Sequence, residues 1–115
     1  MGTDFCLVNR SKKERITFAH LPCTKSREIT GNPVCAAIVT YYLIENAGDE
    51  IFFVSEHDFE EHKEVHAFAE VTDQVVTNLI EAEILQDDGI AWFDEDEPQN
   101  IYIRNLKNVW MQDRF

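Results

Sequence analysis

Glycine and proline are scarce in this chain of 115 residues, with four of one and three of the other. The glycines stand apart at positions 2, 31, 48 and 89, so there is no phosphate-cradling loop and no dinucleotide fingerprint. A nucleophile elbow is missing as well. With those signatures absent, no residue is assigned as catalytic and an enzyme is not expected. Cysteine is limited to Cys6, Cys23 and Cys35, without a CxxC pair. An odd count outside a dense framework suits reduced thiols in a cytoplasmic protein. The opening "MGTDFCLVNRSKKER" lacks an apolar signal core, which speaks against secretion. Cys6 stands where a myristoylation motif takes Ser or Thr, so that modification is set aside. The apolar run Val34 to Ile44 falls short of the ~20 residues needed to span a bilayer.

Positive charge is the deepest shortage. Ten Lys and Arg face 22 Asp and Glu, a net charge of −12. Phosphate is repelled by such a surface, which makes nucleic acid and anionic membranes poor partners. The charges are also segregated. Six bases and two acids occupy Met1 to Arg27, whereas Glu45 to Glu97 holds eighteen acids and only Lys63 as a base.

What is present is enough for a core: 44% of the residues are hydrophobic. "DFCLVN" and "ERITFAH" read as two strands of a hairpin with "RSKK" at its tip. "LPCTKSREITGNP" reads as a connecting loop. A helix follows in "NPVCAAIVTYYLIENAG", capped by Asn32, opened by Pro33 and closed by Gly48. It is apolar on nearly every side and is expected to be central and buried. "EIFFV" reads as a buried strand. Ser55 and Asp58 suggest a capping box at the head of a helix through "SEHDFEEHKEVHAFAEV", with a strand possible from Val65 onward.

"VTDQVVTNLIEAEIL" is an amphipathic helix with Thr72 as cap and a stripe of Val75, Val76, Leu79, Ile80 and Ile84. Asp87-Asp88-Gly89 is turn chemistry. "IAWF" and "IYIRNL" then form a second hairpin around "DEDEPQN". In the tail, Trp110 and Phe115 are expected to pack. The composite is one small α+β domain over 1–115. It has an N-terminal β-hairpin, a buried central helix, further helices and a C-terminal β-hairpin.

Two constellations carry chemistry. Asp58, His62, His66 and Glu70 recur every fourth residue, and two histidines at i and i+4 on a helix can hold zinc. Histidine also suits the border of an apolar face, as beside Phe59 and Ala69. No metal or other cofactor is assigned, and a small metal-binding protein or metal-dependent enzyme using His62 and His66 stands as the alternative. The acidic clusters are the stronger feature. They project a negative potential over a Debye length of roughly 8 to 10 Å, which speeds capture of a cationic protein.

The order helix, turn, strand, acidic tip, strand from Thr72 to Leu106 resembles the second half of a winged-helix domain. Where a DNA reader of that class carries Lys and Arg, this chain has Asp73, Glu81, Glu83 and the acids of the tip. A small acidic protein of this kind is similar to immunity proteins and antitoxins of bacterial toxin systems, and to inhibitors that imitate nucleic acid. The resemblance implies a non-enzymatic neutraliser of a basic partner, most plainly a nuclease toxin. The candidate contact residues are Asp58, Glu60, Glu61 and Glu64 in one cluster, and Asp87, Asp88, Asp94, Glu95, Asp96 and Glu97 in the other. Phe59 and Trp92 are candidate apolar anchors.

Overall fold

The computed structural model describes residues 3–111. It is an α+β structure with two sheets, one of four strands in the order β3-β1-β2-β4 and one of two, β5-β6. Strands β1 (Phe5–Asn9) and β2 (Glu14–Ile16) form the N-terminal hairpin, with Leu7 opposite Ile16. The second strand stops earlier than "ERITFAH" suggests. Phe18 and His20 adopt positive φ (60° and 65°), a conformation incompatible with a strand, and Phe18 turns into the core.

Alternation in β1 and β3 (Ile51–Ser55) feeds two hydrophobic clusters. Leu7 lies in the larger one, with Phe5 and Ile51 packed beside it, under the helices. Cys6, Val8 and Val54 face the other way and meet Val65 and Phe68 in the smaller one. The strand β3 is less buried than expected. It lies at the edge of the sheet, so only Val54 is fully covered and Phe53 is 42% exposed.

The stretch read as a loop contains a short helix, α1 (Ser26–Gly31), which buries Ile29. The Glu28 carboxylate accepts from the amides of Thr24 (3.2 Å) and of the cap residue Lys25 (3.3 Å), which ties the chain entering the helix to its first turn. The main helix is α2 (Pro33–Glu45). Asn32 caps it as expected, its side chain accepting from the amides of Val34 (2.9 Å) and Cys35 (3.3 Å). Its end differs: Asn46 is the C-terminal cap, and Gly48 takes its positive φ of 96° in the turn beyond. Nor is the helix covered all round. Cys35, Ile38 and Tyr42 are buried, while Leu43 and Ile44 look outward because no layer among the described residues packs on that side.

Cys23 and Cys35 are joined as a disulfide with Cα atoms 6.7 Å apart, both buried, and only Cys6 is free. The expectation of reduced thiols therefore fails for two of the three. The fold brings together residues that twelve positions of chain keep apart.

Residues Glu56–Ala67 form a 3-10 segment rather than an α-helix, and it is interrupted at His62 (φ −128°, ψ 47°). Three residues per turn in place of 3.6 dissolve the four-residue stripe of Asp58, His62, His66 and Glu70. Ser55 does not cap it: its hydroxyl donates to the Asp58 carboxylate (2.9 Å) instead of accepting a backbone amide. The strand suggested beyond Val65 is β4 (Ala69–Glu70), parallel to β2.

Helix α3 (Thr72–Glu81) buries Val75, Val76 and Leu79, as its pattern demands. Thr72 is its first residue and Val71 its cap; the Thr72 hydroxyl bonds to Glu70. The helix stops short of Ile84 because Glu83 swings to φ 61°.

The expected turn at Asp87-Asp88-Gly89 lies inside strand β5 (Leu85–Phe93). The pairing with β6 (Tyr102–Asn108) slips there, and Gly89, at φ 96°, serves a bulge. Trp110 is 73% exposed and is not an anchor; Phe115 lies outside the described residues. Among the described residues no helix is long and apolar enough to cross a membrane.

Candidate functional site

The hairpin β5–β6 changes character along its length. At its root Leu85 is buried and Leu106 packs against the larger cluster. The Val109 amide donates to the Ile84 carbonyl (3.0 Å), and Asn108 Nδ2 donates to the Pro33 carbonyl (3.1 Å). Midway, Arg104 spans to Asp73 on α3 (3.4 Å) and to Asp87 (3.1 Å), while Lys107 pairs with Asp88 (3.3 Å). The His20 ring stacks on Tyr102 with centroids 3.8 Å apart, and its carbonyl accepts from the Arg104 amide (2.9 Å). These ties hold the base of the hairpin to the body.

Beyond them the cover ends. Ile90, Trp92 and Phe93 are 53, 52 and 54% exposed, and Ile101 is exposed as well. At the tip, the Asp94 carboxylate accepts from the amides of Asp96 (2.8 Å) and Glu97 (3.2 Å), so it shapes the turn. Glu95, Asp96 and Glu97 have no side-chain hydrogen bond or ion pair among the described residues. Three free carboxylates thus cap a strip of exposed aliphatic and aromatic side chains.

The other acidic cluster is organised differently. Arg10 reaches from the end of the N-terminal sheet to Glu50 (2.9 Å) and Glu64 (3.1 Å), with its guanidinium 4.9 Å from the Phe52 ring. Glu60 pairs with Lys63 (3.4 Å), Asp58 with the Ser55 hydroxyl, and Glu61 alone of the four candidates is free among the described residues. Phe59 is half-buried and packs on the smaller cluster. The two acidic clusters hang on different hydrophobic clusters and do not form one patch: the 3-10 segment packs on β3, the hairpin on α2 and α3.

The histidines of the metal reading are employed otherwise. His62 Nδ1 lies 3.5 Å from the Arg10 guanidinium, a cation, and its ring leans on Phe52. His66 stacks on Phe59. Among the described residues no group of three or more His, Cys, Asp or Glu side chains is arranged to hold a metal ion. Burial pushes the Cys6 thiol up to about 11, which leaves it protonated and unreactive at neutral pH. Burial, reinforced by the hydroxyl's bond to Glu14 (2.6 Å), also holds the Tyr42 phenol above its ordinary range.

No protein-family model matches the chain, and comparison with curated proteins and with solved structures finds no match. The site therefore has to be judged on its own chemistry. Trp92 and the acids of the tip were visible as a cluster in the sequence. Ile90 and Ile101 were missed as contact residues, since apolar residues in a strand pattern read as core. The signal that could have singled them out is the isolation of the hairpin: two strands alone cannot cover both of their faces.

Proposed function

We propose that the protein is a non-enzymatic binding protein that captures a basic protein partner through its C-terminal hairpin, and that the partner is a nuclease toxin which it neutralises. The observation that carries the reading is the tip itself, where Glu95, Asp96 and Glu97, unpaired among the described residues, adjoin exposed Trp92 and Phe93. Free carboxylates steer a cation toward the tip. The aromatic rings supply the desolvated anchor that makes capture persist. A nuclease cleft built for phosphate has the complementary charge. Of the twelve residues expected to make contact, the proposal keeps Trp92, Glu95, Asp96 and Glu97 at the centre, with Glu61 as the free acid of the other cluster.

A neutraliser of this kind works in the cytoplasm, before its toxin can act on the cell's own nucleic acid. Disulfides are rare in that reducing compartment, so the Cys23–Cys35 bond makes thiol state the test of the address. Alkylation of protein drawn directly from cells reads that state: a free pair supports a cytoplasmic site of action, and a pair bonded as in the structure moves the protein to an oxidising compartment.

The decisive experiment uses the purified chain as bait and then measures the partner's nuclease activity with and without it. Stoichiometric inhibition, with association slowed as salt rises, is expected. A partner that is captured but keeps full nuclease activity would overturn neutralisation. A partner without net positive charge would overturn the reading as a whole.

A further inference from the structure

The four-stranded sheet has an open side. β3 is its outer strand, and the bonds from the Glu56 amide to the Asp4 carbonyl and from the Arg10 amide to the Glu50 carbonyl (both 2.9 Å) set the phase of its ladder. In an antiparallel pair the residues between such bonded partners turn their backbone groups outward. The amides and carbonyls of Ile51, Phe53 and Ser55 therefore face away from β1, and no strand among the described residues pairs with them. Proteins usually blunt such an edge with Lys, Pro or a bulge. "IFFVS" has none of these.

Beside that edge lies a cleft of about 340 Å³. Phe5 and Phe53 of the sheet, Ile29 and Thr30 of α1, and Val39 and Thr40 of α2 line it. Phe5 and Phe53 meet edge to face at 6.3 Å. A further strand laid along β3 would sit about 4.8 Å away and place every second side chain on the face that carries Phe53, over the cleft. Backbone pairing and an apolar slot for alternate residues are the two parts of strand-addition recognition.

Charge selects the occupant. Glu50 and Glu56 bracket the strand. At one end Arg10 is shared by Glu50 (2.9 Å) and Glu64 (3.1 Å). At the other Lys25 pairs with Asp4 (2.7 Å) under the field of Glu28 and Glu56, so carboxylates outnumber the base at both ends. A second copy docked antiparallel about Phe53 would set Glu50 against the other copy's Glu56, with −12 on each chain. Like charges opposed in this way are unfavourable. We propose that the β3 edge and its cleft bind an extended segment of a basic partner, with alternate apolar residues over the cleft and Lys or Arg at its ends. The proposal rests on the reading of a basic partner and names how one segment of it is held.

The test needs only the full chain and two synthetic peptides, Lys-Lys-Val-Thr-Val-Thr-Val-Lys-Lys and the same core flanked by Glu. Amide NMR should show the Lys-flanked peptide shifting and protecting Ile51, Phe53 and Ser55. Ser55→Pro suits the φ of −85° there and removes one outward donor. Thr40→Arg obstructs the cleft from an exposed helix position and leaves the strand untouched, so it keeps the test alive if the proline variant loosens the fold. Each should weaken peptide binding at least about tenfold with the thermal midpoint unchanged, the scale of a lost anchor. Unperturbed edge amides at excess peptide would overturn the proposal, as would equal binding by both variants or by the Glu-flanked peptide. So would edge protection that rises with protein concentration alone, which would make a second copy the occupant. Lysine substitutions at Asp94 to Glu97 should leave this titration unchanged, so a failure here and a failure of the hairpin reading are told apart.

Discussion

The body of the protein and its C-terminal hairpin use similar residues for opposite ends. In the body, Val8, Val54 and Val65 are sealed between the sheet and the 3-10 segment, and Arg10 ties down the neighbouring acids. In the hairpin, Ile90, Trp92 and Phe93 stay half in water, and the acids at the tip have no base among the described residues to hold them. Sequence density of charge or apolar residues is therefore a poor guide to what is offered to a partner. Pairing and cover decide it. A surface ion pair contributes only about 0–1 kcal/mol to stability, yet it removes a carboxylate from the free electrostatic surface.

If the body is built for cohesion and the hairpin for contact, damage to each should separate cleanly. The largest effect belongs to the Cys23–Cys35 bond. Replacing both cysteines by serine should cost about 3 kcal/mol by loop-closure entropy, read from urea unfolding, without loss of partner binding. Next, Val65→Ala should cost about 2 kcal/mol by emptying a fully buried site, whereas Trp92→Ala should change stability by less than about 0.5 kcal/mol. Partner affinity should respond in the reverse order; a Trp92→Ala variant that binds as before would break the comparison.

Third in size is the contrast between the acidic clusters. Lysine at Asp94 to Glu97 should slow association about tenfold in stopped-flow measurements at low salt, and lysine at Glu60, Glu61 and Glu64 less than about threefold. Equal effects would mean that the pairing of Glu60 and Glu64 does not screen them.

The smallest effect is with acid. Asp4 is held below its ordinary 3.8 chiefly by its bond to Lys25, Asp49 chiefly by Asn9, and Asp88 chiefly by Gln86. A depressed folded-state pKa contributes stability above the unfolded value and loses it as pH falls through the folded one. Urea midpoints should thus hold on this account down to pH about 4 and decline below it. Asp4→Asn with Asp88→Asn should flatten that decline.

The α2 start was legible because Asn32-Pro33 is local chemistry, a cap and a first-turn proline that act within three residues. The stripe of α3 was legible for the same reason, since its period is written in consecutive residues. The helix read over residues 55–71 was not, because the same "HDFEEHKEVHAF" permits either helical pitch, and the sheet-side contacts of Val65 and Phe68 accompany the 3-10 form. Gly89 was recognised as a bend but its use as a bulge was not, since a positive φ serves turn and bulge alike. Glu83 has no glycine to announce it.

By itself the sequence determined the α+β class, the two hairpins, the excess of acid and its segregation, because these follow from composition, short periods and turn residues. Tertiary structure decided which acids are free, which aromatics are bare, that β3 lies at an edge beside a cleft, and that Cys23 meets Cys35. Each of these depends on residues distant in the chain: Arg10 with Glu50 and Glu64, or a hairpin left without a layer to cover it. Local rules specify elements; only their packing specifies what remains exposed.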